Sequence, residues 1–186
     1  MQVRELSIPG ALVIEPKIFG DERGFFAETY RESAWGEHGI PTRWQQDNHS
    51  RSSKGVLRGM HFAIGEGQGK LVRCARGTIL DVVVDLRAGS PTYGSWEGVE
   101  LSDDNMHQIY VPIGLAHGFV VLSDVADVVY KCTSPYDPEV ERGIAYDDPE
   151  VGIQWPSDLE LIVSARDAEA RHLADVSDTL PFRYEA

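Results

Sequence analysis

The feature that most constrains the fold is a succession of short apolar runs, each of strand length, along most of the chain. Clusters of Gly, Pro, Asp and Ser, such as Gly65–Gly69 and Pro135–Pro138, separate these runs and are typical of turns. Many short strands at this spacing favour an all-β sandwich, jelly roll or small barrel. The predicted strands are Leu12–Ile18, Gly24–Thr29, Val56–Phe62, Lys70–Ala75, Ile79–Leu86, Gln108–Val111, Gly118–Leu122 and Val125–Thr133.

Helix is predicted at only two places. Arg31–His38 has room for two turns, and Asp167–Leu173 reads as a second helix with Ser164 or Asp167 as its N-cap. The run Asp81–Asp85 is too apolar for a fully solvated strand, which predicts a strand buried between two layers. Since no repeat or linker divides the sequence, we predict a single domain over residues 1–186.

Composition disfavours several classes of protein. The 17 Lys and Arg against 30 Asp and Glu give a formal net charge of −13, which disfavours binding to nucleic acid or an anionic membrane. There is no apolar run near the roughly eighteen residues of a membrane span, and no signal-peptide core at the N-terminus. Cys74 and Cys132 lie in separate strand-like runs, which favours reduced core cysteines and a cytoplasmic protein.

Two predicted strands each carry a titratable side chain. Because side chains alternate between the faces of a strand, His61 shares a face with Leu57, and Tyr130 shares a face with Val128. On inward faces of one β-structure, His61 and Tyr130 could accept and donate a proton across a cavity. A His and a Tyr hydrogen-bonded into an ordinary core would give the same pattern.

The segment Pro112–His117 is a tight turn that places a His at the start of an apolar strand. This P-x-G-x-x-H pattern resembles the second motif of the cupin superfamily, whose fold is a double-sheet jelly roll. Metal-binding cupins also carry a H-x-H pair in their first motif, whereas His61 has no His partner two residues on. Three or four convergent ligands are needed to hold a transition metal, and we therefore predict no metal and no cofactor.

The chain resembles the dTDP-4-dehydrorhamnose 3,5-epimerase family over nearly its whole length. Nine short segments match in the same order, which makes the resemblance highly specific. They are Phe19–Glu28, Gln46–Ser50, Gly55–Phe62, Gly69–Arg73, Asp81–Arg87, Pro112–Phe119, Val129–Lys131, Ile153–Pro156 and Val163–Asp167. The resemblance implies a jelly roll with a few short helices and a homodimer. It also implies a dTDP-sugar substrate, dTDP-4-dehydro-6-deoxy-D-glucose, which is epimerised at carbons 3 and 5 by deprotonation and reprotonation through an enolate.

By resemblance, His61 matches the general base of the family and Asp167 the carboxylate that orients it. Tyr130 matches the acid on the opposite side of the sugar, and Lys70 the cation that holds the enolate oxygen. These residue types suit the chemistry, because a neutral imidazole accepts a proton near pH 7 and a phenol can donate one. A fixed ammonium interacts more strongly as negative charge develops on the oxygen.

The resemblance also implies a pocket for a nucleotide sugar. Arg23 and Arg58 match residues that hold the diphosphate, and the guanidinium fork suits phosphate oxygens. Tyr136 matches an aromatic residue that stacks on the thymine ring. The other positions that match substrate contacts are Glu28, Gln46, Asn48, His117, Glu141 and Arg166.

Two features of the sequence do not fit a regular strand or the usual pattern of the family. Arg58 and His61 are three residues apart, so a regular strand would place them on opposite faces unless Gly59 marks a bulge or Arg58 acts from another direction. The family often has Gln and a Pro-containing loop after the His-aromatic pair, whereas this chain has Ala63 and a Gly-rich loop over 64–69. That loop borders the expected pocket mouth, and its change bears on sugar preference.

Three alternatives remain open to sequence. Relatives with the same three catalytic residues, which match His61, Asp167 and Tyr130, epimerise carbon 3 or carbon 5 alone. A metal-dependent cupin enzyme would need bound iron, zinc or manganese. A sugar-nucleotide binding module would keep Arg23, Arg58 and Tyr136 but would not need the acid–base residues.

The sequence gives an independent reason to expect a homodimer. The apolar segments Leu12–Ile14 and Phe25–Phe26 would leave an exposed strand edge or patch on a monomer, and proteins generally cover such surfaces.

Overall fold

The computed structural model describes residues 1–185 and is built mainly from short strands. Their bounds are β1 Gln2–Glu5, β2 Leu12–Glu15, β3 Ile18–Asp21, β4 Gly24–Ala27, β5 Gln46–Ser53, β6 Val56–Ala63, β7 Lys70–Arg76, β8 Thr78–Asp85, β9 Trp96–Ser102, β10 Gln108–Val111, β11 Leu115–Val121, β12 Val125–Cys132, β13 Glu141–Gly143 and β14 Ile162–Val163. The helices are α1 Glu32–Gly36, α2 Ala165–Ala168 and α3 Leu173–Val176, followed by a 3-10 helix at Ser177–Thr179.

The strands form two large sheets and one separate hairpin. The first sheet has the order β1-β2-β10-β7-β12-β5, and the second has the order β13-β6-β11-β8-β9. Neighbours within each order are antiparallel, and β14 joins the second sheet parallel to β6. Strands β3 and β4 pair only with each other. This architecture confirms the predicted all-β, double-sheet jelly roll.

Side chains that point inward from the two sheets form the central core. Val72 and Val128 of the first sheet pack here with Val83 and Phe119 of the second. Strand β8 shows the alternation, because Val83 joins this core while Val82 joins a cluster on the outer face. All the residues from Asp81 to Asp85 are buried, which confirms the predicted strand between two layers.

Both outer faces of the sandwich are covered. Trp35 of α1 packs with Ile14 and Leu71 on the first sheet. The C-terminal segment covers the second sheet, where Phe182 meets Phe62 edge-on with ring centroids 6.0 Å apart. These layers make the central strands rigid supports for any side chain that faces the space between the sheets.

Sequence and structure differ in several elements. The predicted strand Leu12–Ile18 is divided between β2 and β3, and the predicted helix Asp167–Leu173 is wrong in its bounds. Helix α2 begins one residue after Ser164, whose Oγ accepts a hydrogen bond from Asp167 N and is the N-cap. Strand β5 has a largely polar sequence and therefore lacks the apolar signal of a buried strand.

Two further features concern the cysteines and the length of the helices. Cys74 and Cys132 are both free and buried, which confirms the prediction of unpaired core cysteines. Within residues 1–185, the helices are all too short or too polar to cross a bilayer.

Candidate active site

A cavity of about 570 Å³ is lined by residues of both sheets. It collects every residue that the sequence predicts for the site except Arg23 and Glu28. The predicted residues that line it are Gln46, Asn48, Arg58, His61, Lys70, His117, Tyr130, Tyr136, Glu141, Arg166 and Asp167. Its size falls within the range of sites that enclose most of a small organic ligand.

His61 and Asp167 form a hydrogen-bonded pair in this cavity. The distance between His61 Nε2 and Asp167 Oδ1 is 2.7 Å, although the residues are 106 positions apart. The second carboxylate oxygen accepts a longer bond from Gly59 N at 3.4 Å. Burial raises the pKa of Asp167, but the bonds from His61, Gly59 and Ser164 outweigh it and leave the pKa below its usual value.

A bulge in β6 brings His61 and Arg58 into the same cavity. Between β6 and β11, His117 pairs with His61 and Phe119 pairs with Arg58, so β6 holds one more residue than its partner. Gly59 lies within this stretch with φ 141°, and a Cβ there would come within 2.6 Å of Gly118 Cα. Of the two alternatives that the sequence left open, the register therefore supports a bulge at Gly59, which lets Arg58 and His61 face the same cavity.

Tyr130 and Lys70 enter the cavity from the sheet opposite His61. Tyr130 lies on β12 and Lys70 on the neighbouring strand β7. Loss of hydration raises the pKa of the Tyr130 phenol and lowers the pKa of the Lys70 ammonium. Both shifts favour the uncharged form of each group.

A second His–Asp pair lies beside the first, and sequence reasoning missed its carboxylate. His117 Nε2 is 2.8 Å from Asp81 Oδ2 and 3.0 Å from Oδ1, and Asp81 is fully buried. The signal was present in the sequence, because Asp81 interrupts an apolar strand that is buried on both faces. A buried carboxylate in such a strand requires a partner, and His117 supplies it.

The polar rim of the cavity is held by a network of side chains. Gln46 Oε1 accepts a bond from Tyr136 N at 2.8 Å, and Gln46 Nε2 donates to Asn48 Oδ1 at 2.9 Å. On the other side, Arg166 Nη1 lies 3.2 Å from Glu141 Oε2. The positions that depart from the family also line the cavity, namely Ala63, which pairs with Glu141, and Gln68.

Arg23 and Glu28 lie away from the cavity of their own chain. Arg23 is in the turn between β3 and β4, its side chain is 85% exposed, and its Nε lies 3.1 Å from Asp21 Oδ1. Glu28 follows β4 and contacts Arg31, with 3.4 Å between Glu28 Oε1 and Arg31 Nε. A single chain therefore does not bring either residue to His61.

The described residues, 1–185, contain no group of three His, Cys, Asp or Glu side chains arranged to hold a metal ion. His61 and His117 pair across neighbouring strands, but each is bonded to its own carboxylate. A jelly roll that brings ionisable side chains from both sheets into one cavity places the protein among the cupin-type enzymes.

Comparison with known proteins identifies the family. The family model described as dTDP-4-dehydrorhamnose 3,5-epimerase matches residues 5–175, and the chain belongs to this family. A dTDP-4-dehydrorhamnose 3,5-epimerase of Methanothermobacter thermautotrophicus is 50% identical over 91% of this chain and 92% of its own.

Two solved structures extend this similarity. The dTDP-6-deoxy-D-glucose 3,5-epimerase of Legionella pneumophila, in complex with dTDP-4-keto-L-rhamnose, superposes with a TM-score of 0.95. It is 48% identical, and the match covers 100% of this chain and 99% of that one. A 3′-monoepimerase from Streptomyces bikiniensis, in complex with dTDP-quinovose, has a TM-score of 0.89 and 41% identity, covering 94% of this chain and 89% of its own.

Proposed function

We propose that this protein inverts carbons 3 and 5 of dTDP-4-dehydro-6-deoxy-D-glucose and produces dTDP-4-dehydro-L-rhamnose. The observation that carries the proposal is that His61, bonded to Asp167, and Tyr130 enter one cavity from opposite sheets. The ketone at carbon 4 acidifies the hydrogens on carbons 3 and 5, because the carbanion delocalises into an enolate. Inversion then needs a base on one face of the sugar and an acid on the other.

His61 is the base in this proposal. The lowered pKa of Asp167 keeps its carboxylate ionised, so Asp167 can only accept a hydrogen bond from His61 Nε2. The neutral ring then carries its proton on Nε2, and the lone pair on Nδ1 takes the proton from carbon. As the imidazolium forms, the adjacent carboxylate stabilises its charge.

Tyr130 is the acid. The raised pKa keeps its phenol protonated through the neutral range, so a proton is available for the enolate. Transfer breaks the phenolic O–H bond and forms a C–H bond on the face of the sugar opposite His61. Solvent then reprotonates the phenolate and takes the proton from the imidazolium, which restores both groups for the second carbon.

Lys70 holds the enolate oxygen. Burial lowers its pKa, but the nearby Glu141 and Asp81 carboxylates oppose this shift and favour the ammonium. In this dehydrated setting, the ammonium stabilises a developing anion more than it would in water. His117, fixed by Asp81, lies next to His61 across β6 and β11 and provides a second polar contact with the sugar.

The rest of the cavity binds the nucleotide. Arg58, exposed on the pocket wall, holds the diphosphate, and its Nε is already oriented by a 3.1 Å bond to Ser52 Oγ. Tyr136 lies at the rim with 55% of its surface exposed and stacks on the thymine. The part of the cavity between Arg58 and Tyr136 is lined by Gln46, Asn48, Glu141 and Arg166.

The working form is a homodimer in which the β3–β4 hairpin reaches the pocket of the partner. Phe19, Phe25 and Phe26 are 53%, 63% and 69% exposed on this hairpin, and an apolar patch of that kind favours burial in an interface. The same contact would carry Arg23 and Glu28 to the diphosphate and sugar in the neighbouring site. The two buried free cysteines are consistent with a reducing compartment, and we place the protein in the cytoplasm.

The alternative is epimerisation at a single carbon, which is what the name of the Streptomyces bikiniensis 3′-monoepimerase gives for that relative. Incubation with the 4-keto sugar nucleotide in deuterated water separates the two functions. Deuterium at carbons 3 and 5, located by NMR, is the expected result. Deuterium at one carbon supports the alternative, and no exchange would contradict an enolate mechanism.

A further inference from the structure

Tyr136 lies in a segment that regular secondary structure does not fix. Strand β12 ends at Cys132, and residues 133–137 run along the rim of the cavity without helix or strand. With about half of the residue exposed, Tyr136 has little packing to hold it in place. Its position therefore depends on hydrogen bonds made by the neighbouring backbone.

The Gly-rich loop before Lys70 supplies most of these bonds. Thr133 N donates to Gly69 O at 3.0 Å, and Gly69 N donates to Thr133 Oγ1 at 2.9 Å. Ser134 Oγ donates to Gly67 O at 3.1 Å, and Gln68 Nε2 donates to Ser134 O at 2.9 Å. The loop and the rim segment are thus joined at two successive residues just before Pro135 and Tyr136.

Gln46 holds the segment from the other side, because its Oε1 accepts the bond from Tyr136 N. Gln68 is bonded to the segment from the loop side and also lines the cavity.

We propose that Gln68 is a positioning residue that acts through Tyr136 and sets the affinity for the nucleotide, with no part in proton transfer. The inference rests on the proposed function, since it takes Tyr136 to be the surface that meets the thymine. The amide of Gln68 fixes the Ser134 carbonyl, two residues before Tyr136, and this limits the directions in which the ring can face. A ring held before binding loses less conformational freedom when the base stacks on it.

A double-mutant cycle on dTDP binding tests this inference. Gln68→Met keeps the length of the side chain but removes the donor, and we expect the Kd for dTDP, measured by calorimetry, to rise about fivefold. The KM should rise by a similar factor while kcat stays within about twofold, because His61 and Tyr130 are untouched. In a Tyr136→Ala background, Gln68→Met should have no further effect on the Kd.

Gln45→Met is the matched control. Gln45 Nε2 donates to Thr133 O at 2.6 Å, so this variant also loses one amide-to-carbonyl bond to the segment, but Gln45 is exposed and outside the cavity. Its Kd for dTDP should equal that of the wild type, because Thr133 keeps its two bonds to Gly69, whereas the Ser134 carbonyl is held by Gln68. Melting temperatures check that each variant is folded, and Gln68→Glu replaces Gln68→Met in the cycle if the latter is not.

Two results would overturn the inference. The first is an equal rise in Kd from Gln68→Met with and without the Tyr136 ring, since Gln68 would then act on the ligand or on the whole fold. The second is a fall in kcat with an unchanged Kd. Binding of dTDP requires no turnover, so a failure of the epimerase assignment would appear separately, as the absence of deuterium exchange into the 4-keto sugar nucleotide.

Discussion

The two ends of the cavity are held in place by different means. At the end proposed for proton transfer, His61 and His117 lie on paired central strands, and buried Asp167 and Asp81 fix their rings. At the end proposed to bind the nucleotide, Tyr136 lies on an irregular segment, and Arg23 is on an exposed hairpin away from the cavity. In our proposal, the groups that move protons are fixed by the core of one chain, whereas the groups that hold the nucleotide depend on surface bonds and on a partner.

This difference follows from what each task requires. Proton transfer to or from carbon depends on placing the reacting atoms closely, and a misplacement of about 1 Å can lower a rate by about a hundredfold. Stacking and charge attraction vary more gradually with distance, so an exposed tyrosine or arginine can serve for binding. Substitutions at the two ends should therefore separate cleanly into effects on kcat and effects on KM.

The largest effect is expected at His61. His61→Asn keeps a polar side chain of similar reach but removes the base, and turnover should fall by about a thousandfold or more. Affinity for dTDP should be unchanged, because the nucleotide is bound at the other end. A variant that kept more than about a tenth of the wild-type rate would remove His61 from its role.

Tyr130→Phe should have the next largest effect. Removing the phenolic proton slows delivery to the enolate but leaves His61 able to abstract, so exchange of substrate hydrogens with solvent should survive in part while net epimerisation falls about a hundredfold. NMR in deuterated water follows both processes in one sample. If exchange and epimerisation fell together, Tyr130 would be organising the pocket as a whole.

Asp81 tests whether the second pair belongs to the proton-transfer end. Asp81→Asn can still bond His117 but loses the charge, and we expect kcat to fall about tenfold with little change in dTDP affinity.

Asp85→Asn is the control, because Asp85 is equally buried on the same strand but bonds Arg87, Ser90 and Thr92 outside the cavity. It should reduce the free energy of unfolding by about 2 kcal/mol and leave kcat unchanged. Equal kcat values for the two variants would exclude a role for the Asp81 charge.

Alternation along single strands explains why much of the proton-transfer end could be predicted. His61 and Tyr130 stand out as titratable residues in apolar runs, and the glycine two residues before His61 signalled the bulge that admits Arg58. Asp167 could not be found this way. It lies 106 residues from His61, on a four-residue helix whose bounds the sequence did not define, and only the family resemblance linked the two.

The nucleotide end was less predictable for a physical reason. Strand β5 carries Gln46 and Asn48 but lacks the apolar alternation that marks a buried strand. The bonds of Gln68 and Gln46 to residues 134 and 136 depend on loop conformation, which periodicity does not encode. Pairing between the Asp81 and His117 side chains could have been predicted from the sequence, because a carboxylate in a fully buried strand requires a partner.

The smallest effect concerns the hairpin and tests whether the nucleotide end is shared between two chains. Arg23→Ala and His61→Asn should each be impaired alone. If the hairpin of one subunit serves the pocket of the other, a mixed dimer contains one site with both residues intact and one site with neither. Random exchange between equal amounts of the two variants makes about half of the dimers mixed, so about a quarter of the wild-type activity should return.

Mixing either variant with itself is the control, and analytical ultracentrifugation reports the assembly state. Sites built within one chain would recover no activity on mixing, and a protein that sedimented as a fully active monomer at micromolar concentration would rule out the shared site.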